Sequence, residues 1–315
     1  MKYLDAAELA TLLPYGELIE ALREGFKKGG NAPLRHHHTI ETENGTENNF
    51  MLMPCWQQGG MMGVKMVMVC PENAAKGLES IQSTYILSDA TTGEVKAVLN
   101  GNELTVRRTA CASALASSRL SRPESKSMLM MGTGKLAPHL IRAHMALRDL
   151  SDIYIWGRRF QQAEMLANEL NEDLSVQVIA IDDSEKYANI CDIISCATLA
   201  NEPILKGRWL SKDKQQHIDL VGGYTYDMRE ADNDAIGHSS IYVDTFDGAL
   251  AEAGDILRPI EEGIITKDDV SGDLFNLVDE NFTEIPENQT TLFKSVGTAL
   301  EDLIAAQLAF QKSAD

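Results

Sequence analysis

The chain is short of positive charge: 28 lysine and arginine residues stand against 47 aspartate and glutamate, a formal net charge of −19 over 315 residues. That balance excludes a nucleic-acid partner, which needs a basic face to displace counterions from phosphates. Long apolar runs are missing too: none reaches the roughly 18 residues of a membrane span. The opening Met1-Lys-Tyr-Leu-Asp5 lacks the apolar core of a signal peptide, so a cytoplasmic protein without a membrane partner is expected. Cysteine is sparse. The five residues (Cys55, Cys70, Cys111, Cys191, Cys196) are odd in number and have no C-x-x-C spacing, so neither a disulfide framework nor a zinc site is expected. They read as small buried hydrophobes. What remains, 44% hydrophobic and 24% charged residues, is a globular chain long enough for two domains.

The first part reads as a small helix-plus-antiparallel-sheet unit. Leu18, Ile19, Ala21, Leu22 and Phe26 recur at helical spacing, and Gly29-Gly30 ends that helix. Ala32-Pro-Leu-Arg35-His-His-His-Thr-Ile40 is extended because of its proline and its β-branched finish. The three adjacent histidines suggest a metal, but neighbours on a strand point to opposite faces and no carboxylate or cysteine stands at ligand spacing; no metal is expected. Strands follow at 49–54, 61–70, 81–88 and 94–100, the last two joined by the turn composition Asp89-Ala-Thr-Thr-Gly93. Lys65 is a charge inside the apolar run Gly63-Val-Lys-Met-Val-Met-Val-Cys70. Such a lysine either snorkels to the surface or is kept because an anion binds it. A helix at 104–120 ends at Ser121-Arg-Pro123, a candidate boundary.

From Ser127 strands and helices alternate, with strands at 127–131, 152–156, 176–180, 192–196, 217–221 and 241–244. Parallel strands need crossover helices, so the alternation implies a doubly wound parallel sheet of Rossmann type. The fold class is therefore α/β, with a smaller α+β domain beside it. In this sheet the first strand runs into Gly132-Thr133-Gly134-Lys135-Leu136-Ala137. Gly132 permits the tight turn, Gly134 lets the backbone approach a pyrophosphate, and Ala137 supplies the small residue of G-x-G-x-x-G/A. The anion would sit on the helix N-terminus. After the second strand come Gly157, Arg158 and Arg159, where an NAD enzyme usually carries Asp or Glu. Two guanidiniums there favour NADP(H), with NAD(H) also accommodated.

Taken together, Gly63-Val-Lys65 with Pro71-Glu-Asn73, Leu104-Thr-Val-Arg-Arg108-Thr109, Gly132-Thr-Gly134, Val221-Gly222, Met228-Arg-Glu230 with Asp232, Val243-Asp244, Glu252-Ala-Gly254-Asp, and Phe293-Lys-Ser-Val-Gly297 with Glu301-Asp-Leu resemble the ornithine cyclodeaminase/mu-crystallin family over nearly the whole chain. The resemblance implies a substrate and dimerisation domain at 1–122, completed by 291–315, and a Rossmann domain at 123–290. A helix at 295–310 would return to the first domain, and the protein would be a homodimer. Two arginines and a lysine hold a substrate carboxylate in this family; the matching positions are Arg35, Lys65 and Arg108, with Lys65 and Arg108 the catalytic candidates. Thr109 is expected near the cofactor phosphates, and Ala197, Thr198 and Lys294 among the other cofactor contacts.

Two departures refine the expectation. Cyclodeaminases have a catalytic aspartate soon after the Val-Gly pair, where this chain carries Tyr224, a substrate-binding candidate; a phenol cannot replace that base near neutral pH. The glycine turn reads Gly-Thr-Gly-Lys-Leu136-Ala-Pro138, whereas cyclodeaminases usually have Gln at 136. This version looks like the branch that reduces cyclic imino acids with NAD(P)H, in particular 1-pyrroline-2-carboxylate to L-proline, with 1-piperideine-2-carboxylate a second substrate. The alternatives are ornithine cyclodeaminase or alanine dehydrogenase activity, or non-catalytic NADPH-dependent ligand binding of the mu-crystallin kind.

Overall fold

A computed structural model describes residues 1–314 except 284 and 287. The chain divides into two compact units, 1–109 with 298–315 and 110–297. The first unit is built on a six-stranded sheet: β1 (Lys2–Leu4), β2 (His36–Glu41), β3 (Glu47–Trp56), β4 (Met61–Val69), β5 (Ile81–Asp89) and β6 (Val95–Asn100), in the order β1-β6-β5-β4-β3-β2. All neighbours are antiparallel except β1 and β6. The sheet alternates as period-2 side-chain placement requires. Met51, Met53, Cys55, Lys65, Val67, Tyr85 and Leu87 are buried, while Trp56, Met62 and Met66 are exposed.

Helices α1 (Ala6–Leu12), α2 (Tyr15–Lys28) and α11 (Ala299–Lys312) complete this unit. Asp5 caps α1 with a full capping box. The periodic residues Leu18, Ile19, Leu22 and Phe26 are the buried stripe of α2. Gly25 lets α2 approach α11 closely, because a Cβ there would lie 2.3 Å from Ile304 Cδ1.

Helix α3 (Gly101–Leu120) carries the chain from the first unit to the second. The second unit has an eight-stranded, wholly parallel sheet. Its strands are β7 (Ser127–Met131), β8 (Asp152–Trp156), β9 (Val178–Ile181), β10 (Ile193–Cys196), β11 (His217–Leu220), β12 (Ser240–Val243), β13 (Val270–Asp273) and β14 (Thr291–Lys294). The order is β13-β12-β14-β11-β10-β7-β8-β9. Helices α4 (Ala137–Met145), α5 (Phe160–Asp173), α6 (Ser184–Ile190), α7 (Asn233–Gly237), α8 (Phe246–Glu252), α9 (Gly254–Glu261) and α10 (Leu274–Leu277) lie on the connections. The strand order reverses at β7 and β10, the place where doubly wound sheets bind ligands outside the carboxyl ends of their strands.

Three features differ from the sequence expectation. The boundary falls inside α3, after Thr109 rather than after Arg122, and the stretch of that helix beyond it, Ala110 to Ser117, is buried throughout. The segment from 291 does not belong wholly to the first unit: β14 sits between β11 and β12. The last helix starts at Ala299 and not at Ser295, since the amides of Val296 and Gly297 donate to Asp244 Oδ2 at 2.8 and 2.6 Å and Gly297 takes φ +86°. Asp244 thus holds the backbone away from helix until Thr298 caps it. No helix among the described residues is long and apolar enough to cross a membrane.

Candidate active site

In the second unit, β7 delivers the chain into the glycine turn. Gly132 has φ +131°, a backbone region that L side chains rarely adopt, and a Cβ there would stand 2.5 Å from the carbonyl oxygen of Ala197. Only glycine fits. Its amide donates to Trp156 O at 2.9 Å, and Ala197 donates to Met131 O at 2.9 Å, so β8 and β10 fix the turn from both sides. Gly134 and Lys135 are exposed, with open space around the Gly134 Cα. Leu136 is the N-cap of α4 and offers no side-chain hydrogen bond to the first helical amides. The Ala137 N–H donates back to Gly134 O at 3.0 Å and Pro138 has no N–H, so it is the turn itself, open at the exposed Gly134, that fits the approach of a dinucleotide pyrophosphate.

The other expected cofactor residues collect around this turn. Gly157 packs against Thr133, whose Cγ2 would lie 2.7 Å from a Cβ at 157. Arg158 and Arg159 follow at the end of β8 and are both exposed; Arg159 Nε donates to Gln162 Oε1 at 3.0 Å. Thr198 is adjacent to Gly132, but its amide and hydroxyl both donate to Glu230 Oε1, at 2.7 and 2.9 Å. Lys294 lies lower in the same unit. It is fully buried at the end of β14, 3.1 Å from Asp255 Oδ2 and beneath Gly223 of the loop after β11.

Beneath that loop lies a buried charge set. Glu230 Oε2 accepts from the Gly222 amide at 2.8 Å, while Asp255 Oδ1 accepts from the amides of Glu230 and Ala231 at 2.8 and 3.1 Å. Burial pushes the Glu230 carboxyl up to about 7, with Lys294 opposing and Asp255 reinforcing the shift. Tyr224 follows on the loop, half-buried against the core of this unit. Asp227 is exposed.

In the first unit, Lys65 of β4 and Arg108 of α3 are both buried, 2% and 4% exposed. They converge on one carboxylate of α11. Lys65 Nζ lies 2.9 Å from Asp302 Oδ1 and 2.8 Å from Oδ2; Arg108 Nε lies 2.9 Å from Oδ1, and its Nη1 2.5 Å from Glu301 Oε2. Burial lowers the Lys65 ammonium to about 8, and the Arg108 and Arg35 charges add to the fall against the pull of Asp302. Burial works against the Arg108 charge as well, but Asp302 and Glu301 more than offset it and raise its pKa. Arg35, just before β2, is half-buried and close enough for its charge to act on Lys65. Arg107, its neighbour's rival in sequence, turns elsewhere and pairs with Glu103 and the Leu13 carbonyl. Thr109 is half-buried one residue beyond Arg108.

Glu230, Asp255, Glu301 and Asp302 carry the family resemblance, but nothing in their local sequence assigns them a role. The one general signal is that carboxylates inside short apolar contexts need a buried cation. Tyr85 was missed outright. It pairs with Lys65 across β4 and β5, is fully buried, and its hydroxyl, which has no hydrogen-bond partner, sits over Gly63 where a Cβ would be 2.2 Å away. The histidines of β2 lie on an exposed edge strand, and no group of three or more metal-ligating side chains occurs among the described residues.

The ornithine cyclodeaminase/mu-crystallin family profile matches residues 3–315. An uncharacterised protein of Schizosaccharomyces pombe is 46% identical over 321 residues, 98% of this chain and 97% of its own. The Delta(1)-pyrroline-2-carboxylate reductase of Colwellia psychrerythraea is 34% identical over 323 residues, covering both chains fully. The structure of the Thermococcus litoralis Delta(1)-pyrroline-2-carboxylate reductase in complex with NADH and L-proline superposes with a TM-score of 0.91 at 30% identity, over 100% of this chain and 98% of that one. With the glycine turn, the buried Lys65 and Arg108, and a match running from end to end, the chain belongs to the ornithine cyclodeaminase/mu-crystallin family.

Proposed function

We propose that this protein reduces the C=N bond of 1-pyrroline-2-carboxylate to give L-proline, with a nicotinamide dinucleotide as hydride donor. The observation that carries the reading is the end-to-end similarity to a reductase whose structure holds NADH and L-proline. The chain's own side chains support it. Lys65 and Arg108 supply an ammonium and a guanidinium fork for the substrate carboxylate, and Arg35 adds a third cation beside them. Held by that group, C2 of the ring is fixed in orientation, which is the protein's main contribution to hydride chemistry. The turn at Gly132 to Leu136 receives the pyrophosphate. When bound, the dinucleotide would supply the hydride to C2, and a solvent-derived proton would go to the imine nitrogen, so that C=N becomes CH–NH.

Loss of ammonia is the weaker reading because Tyr224 stands where the cyclodeaminases carry their base. Arg158 and Arg159 favour NADP(H) over NAD(H), since a planar fork of donors suits a 2′-phosphate. A six-membered imine, 1-piperideine-2-carboxylate, presents the same carboxylate and C=N bond and is a second substrate. The apolar outer face of the first sheet, with Trp56, Met62 and Met66 exposed, supports a homodimer in which a second copy covers it.

A substrate panel with NADH and NADPH tests the assignment. Oxidation of the dinucleotide by 1-pyrroline-2-carboxylate, without ammonia from ornithine, is expected. Ammonia release with no imine reduction overturns it, as does tight dinucleotide binding without turnover of any imino acid.

A further inference from the structure

We infer that Asp302 is the positioning residue of the substrate-carboxylate site: from the first turn of α11, one carboxylate holds the Lys65 ammonium and the Arg108 guanidinium in the orientation that receives the substrate. The inference deepens the proposed imine reduction and rests on it. Asp302 is fully buried and its Oδ1 is shared, 2.9 Å from Lys65 Nζ and 2.9 Å from Arg108 Nε. Glu301 takes Nη1. The guanidinium is therefore held at two separate donors, Nε by Asp302 and Nη1 by Glu301, and among the described residues no hydrogen bond involves Nη2, which lies between them and is left for a substrate oxygen. An ammonium has three donors, and Asp302 engages only one side of it.

Charge balance points the same way. The groups facing Lys65 or Asp302 are Arg35 before β2, Arg108 of α3, Glu301 beside Asp302 on α11, Cys55 of β3 and Tyr85 of β5. Cys55 and Tyr85 are neutral, since burial raises both. Three cations (Arg35, Lys65, Arg108) against two carboxylates (Glu301, Asp302) leave one positive charge. A substrate bearing one carboxylate neutralises it. Without Asp302 the cations would repel one another and Lys65 would lose the neighbour that favours its proton.

The test begins with wild-type turnover of 1-pyrroline-2-carboxylate, whose absence removes both this inference and the proposed function. Asp302→Asn keeps the shape and removes the charge. Its KM for the imino acid should rise by about tenfold or more, as for loss of a hydrogen bond to a charged group. The KM for the dinucleotide should stay unchanged, and the basic limb of kcat/KM should move to lower pH. Should that variant fail to fold, Asp302→Glu keeps the counter-charge while displacing it by one methylene: KM should rise with the basic limb in place. Wild-type KM and an unmoved limb in Asp302→Asn, or wild-type KM in Asp302→Glu, overturn the inference and leave the proposed function standing.

Discussion

Lys294→Met removes the cation of the buried set in the second unit while keeping the length of the side chain. Lys294, Asp255 and Glu230 all have no exposure, so solvent cannot replace the lost charge. Asp255 would retain its two backbone donors and Glu230 its three hydrogen bonds, but two carboxylates would then face each other without a counter-ion. Removing one partner of a buried pair costs about 3–5 kcal/mol. In a unit of this size that lowers the melting temperature by roughly 6–20 °C.

The loss should depend on pH in a defined direction. Glu230 already titrates near 7, raised from 4.5, and Lys294 is the charge that holds it down. A carboxyl whose folded pKa lies above its unfolded value contributes stability below about 4.5 that is lost as pH rises through the folded pKa. Without Lys294 that pKa climbs further, so the variant loses stability more steeply than wild type above neutrality. Thermal melts and urea unfolding at pH 6 and pH 8.5 would read the gap, which should be wider at the higher pH. Adding Asp255→Asn should recover a large part of the loss, because the amide still accepts from the Glu230 and Ala231 backbone. A gap below about 1 kcal/mol, far under the expected cost of an orphaned buried charge, or an equal gap at both pH values, would refute the reasoning.

Four further outcomes are expected. Gly132→Ala should weaken dinucleotide binding strongly in a fluorescence titration, since its Cβ would meet the Ala197 carbonyl at 2.5 Å and the backbone at φ +131° would be strained; unchanged affinity would place the pyrophosphate elsewhere. Replacing Arg158 and Arg159 together by Ala should raise the KM for NADPH and leave that for NADH nearly as it was, and an equal effect on both would remove the basis for NADP(H) preference. His144 is neutral in the fold, lowered by burial from 6.5 to about 4, so its contribution is present above pH 6.5 and is lost as pH falls toward 4. By pH 5 that amounts to ~2 kcal/mol, and His144→Leu should flatten the stability curve between pH 5 and 6.5 in a urea series. Met66→Glu on the outer face of the first sheet should yield monomers in sedimentation, whereas an undisturbed dimer would put the interface on another surface.

Much of the second unit was legible because its signals are local. The strand Met128-Leu-Met-Met131, the glycine turn and the helix after it lie within eighteen consecutive residues, and period and turn chemistry are properties of such short windows. The strands at 127–131 and 152–156 stand where the sequence puts them. Short or polar strands escaped: β1 has three residues, and β13 reads Val-Ser-Gly-Asp, with too little periodicity to separate it from a turn. Strand β14 was missed for another reason, since nothing in Thr291-Leu-Phe-Lys294 says that it inserts between β11 and β12.

The sequence by itself determined the alternation that makes a doubly wound sheet, the glycine that the turn after β7 requires, and the presence of an unusual lysine in an apolar strand. Two readings of Lys65 stood open, a snorkelling surface charge or a buried anion-binding group, and the tertiary structure decided for burial. The reason is distance along the chain: Asp302 is 237 residues from Lys65 and 194 from Arg108. A charge pair becomes an energetic fact only where the fold removes both partners from water. Only the packing of α11 against β4 could give Asp302 its place beside both cations.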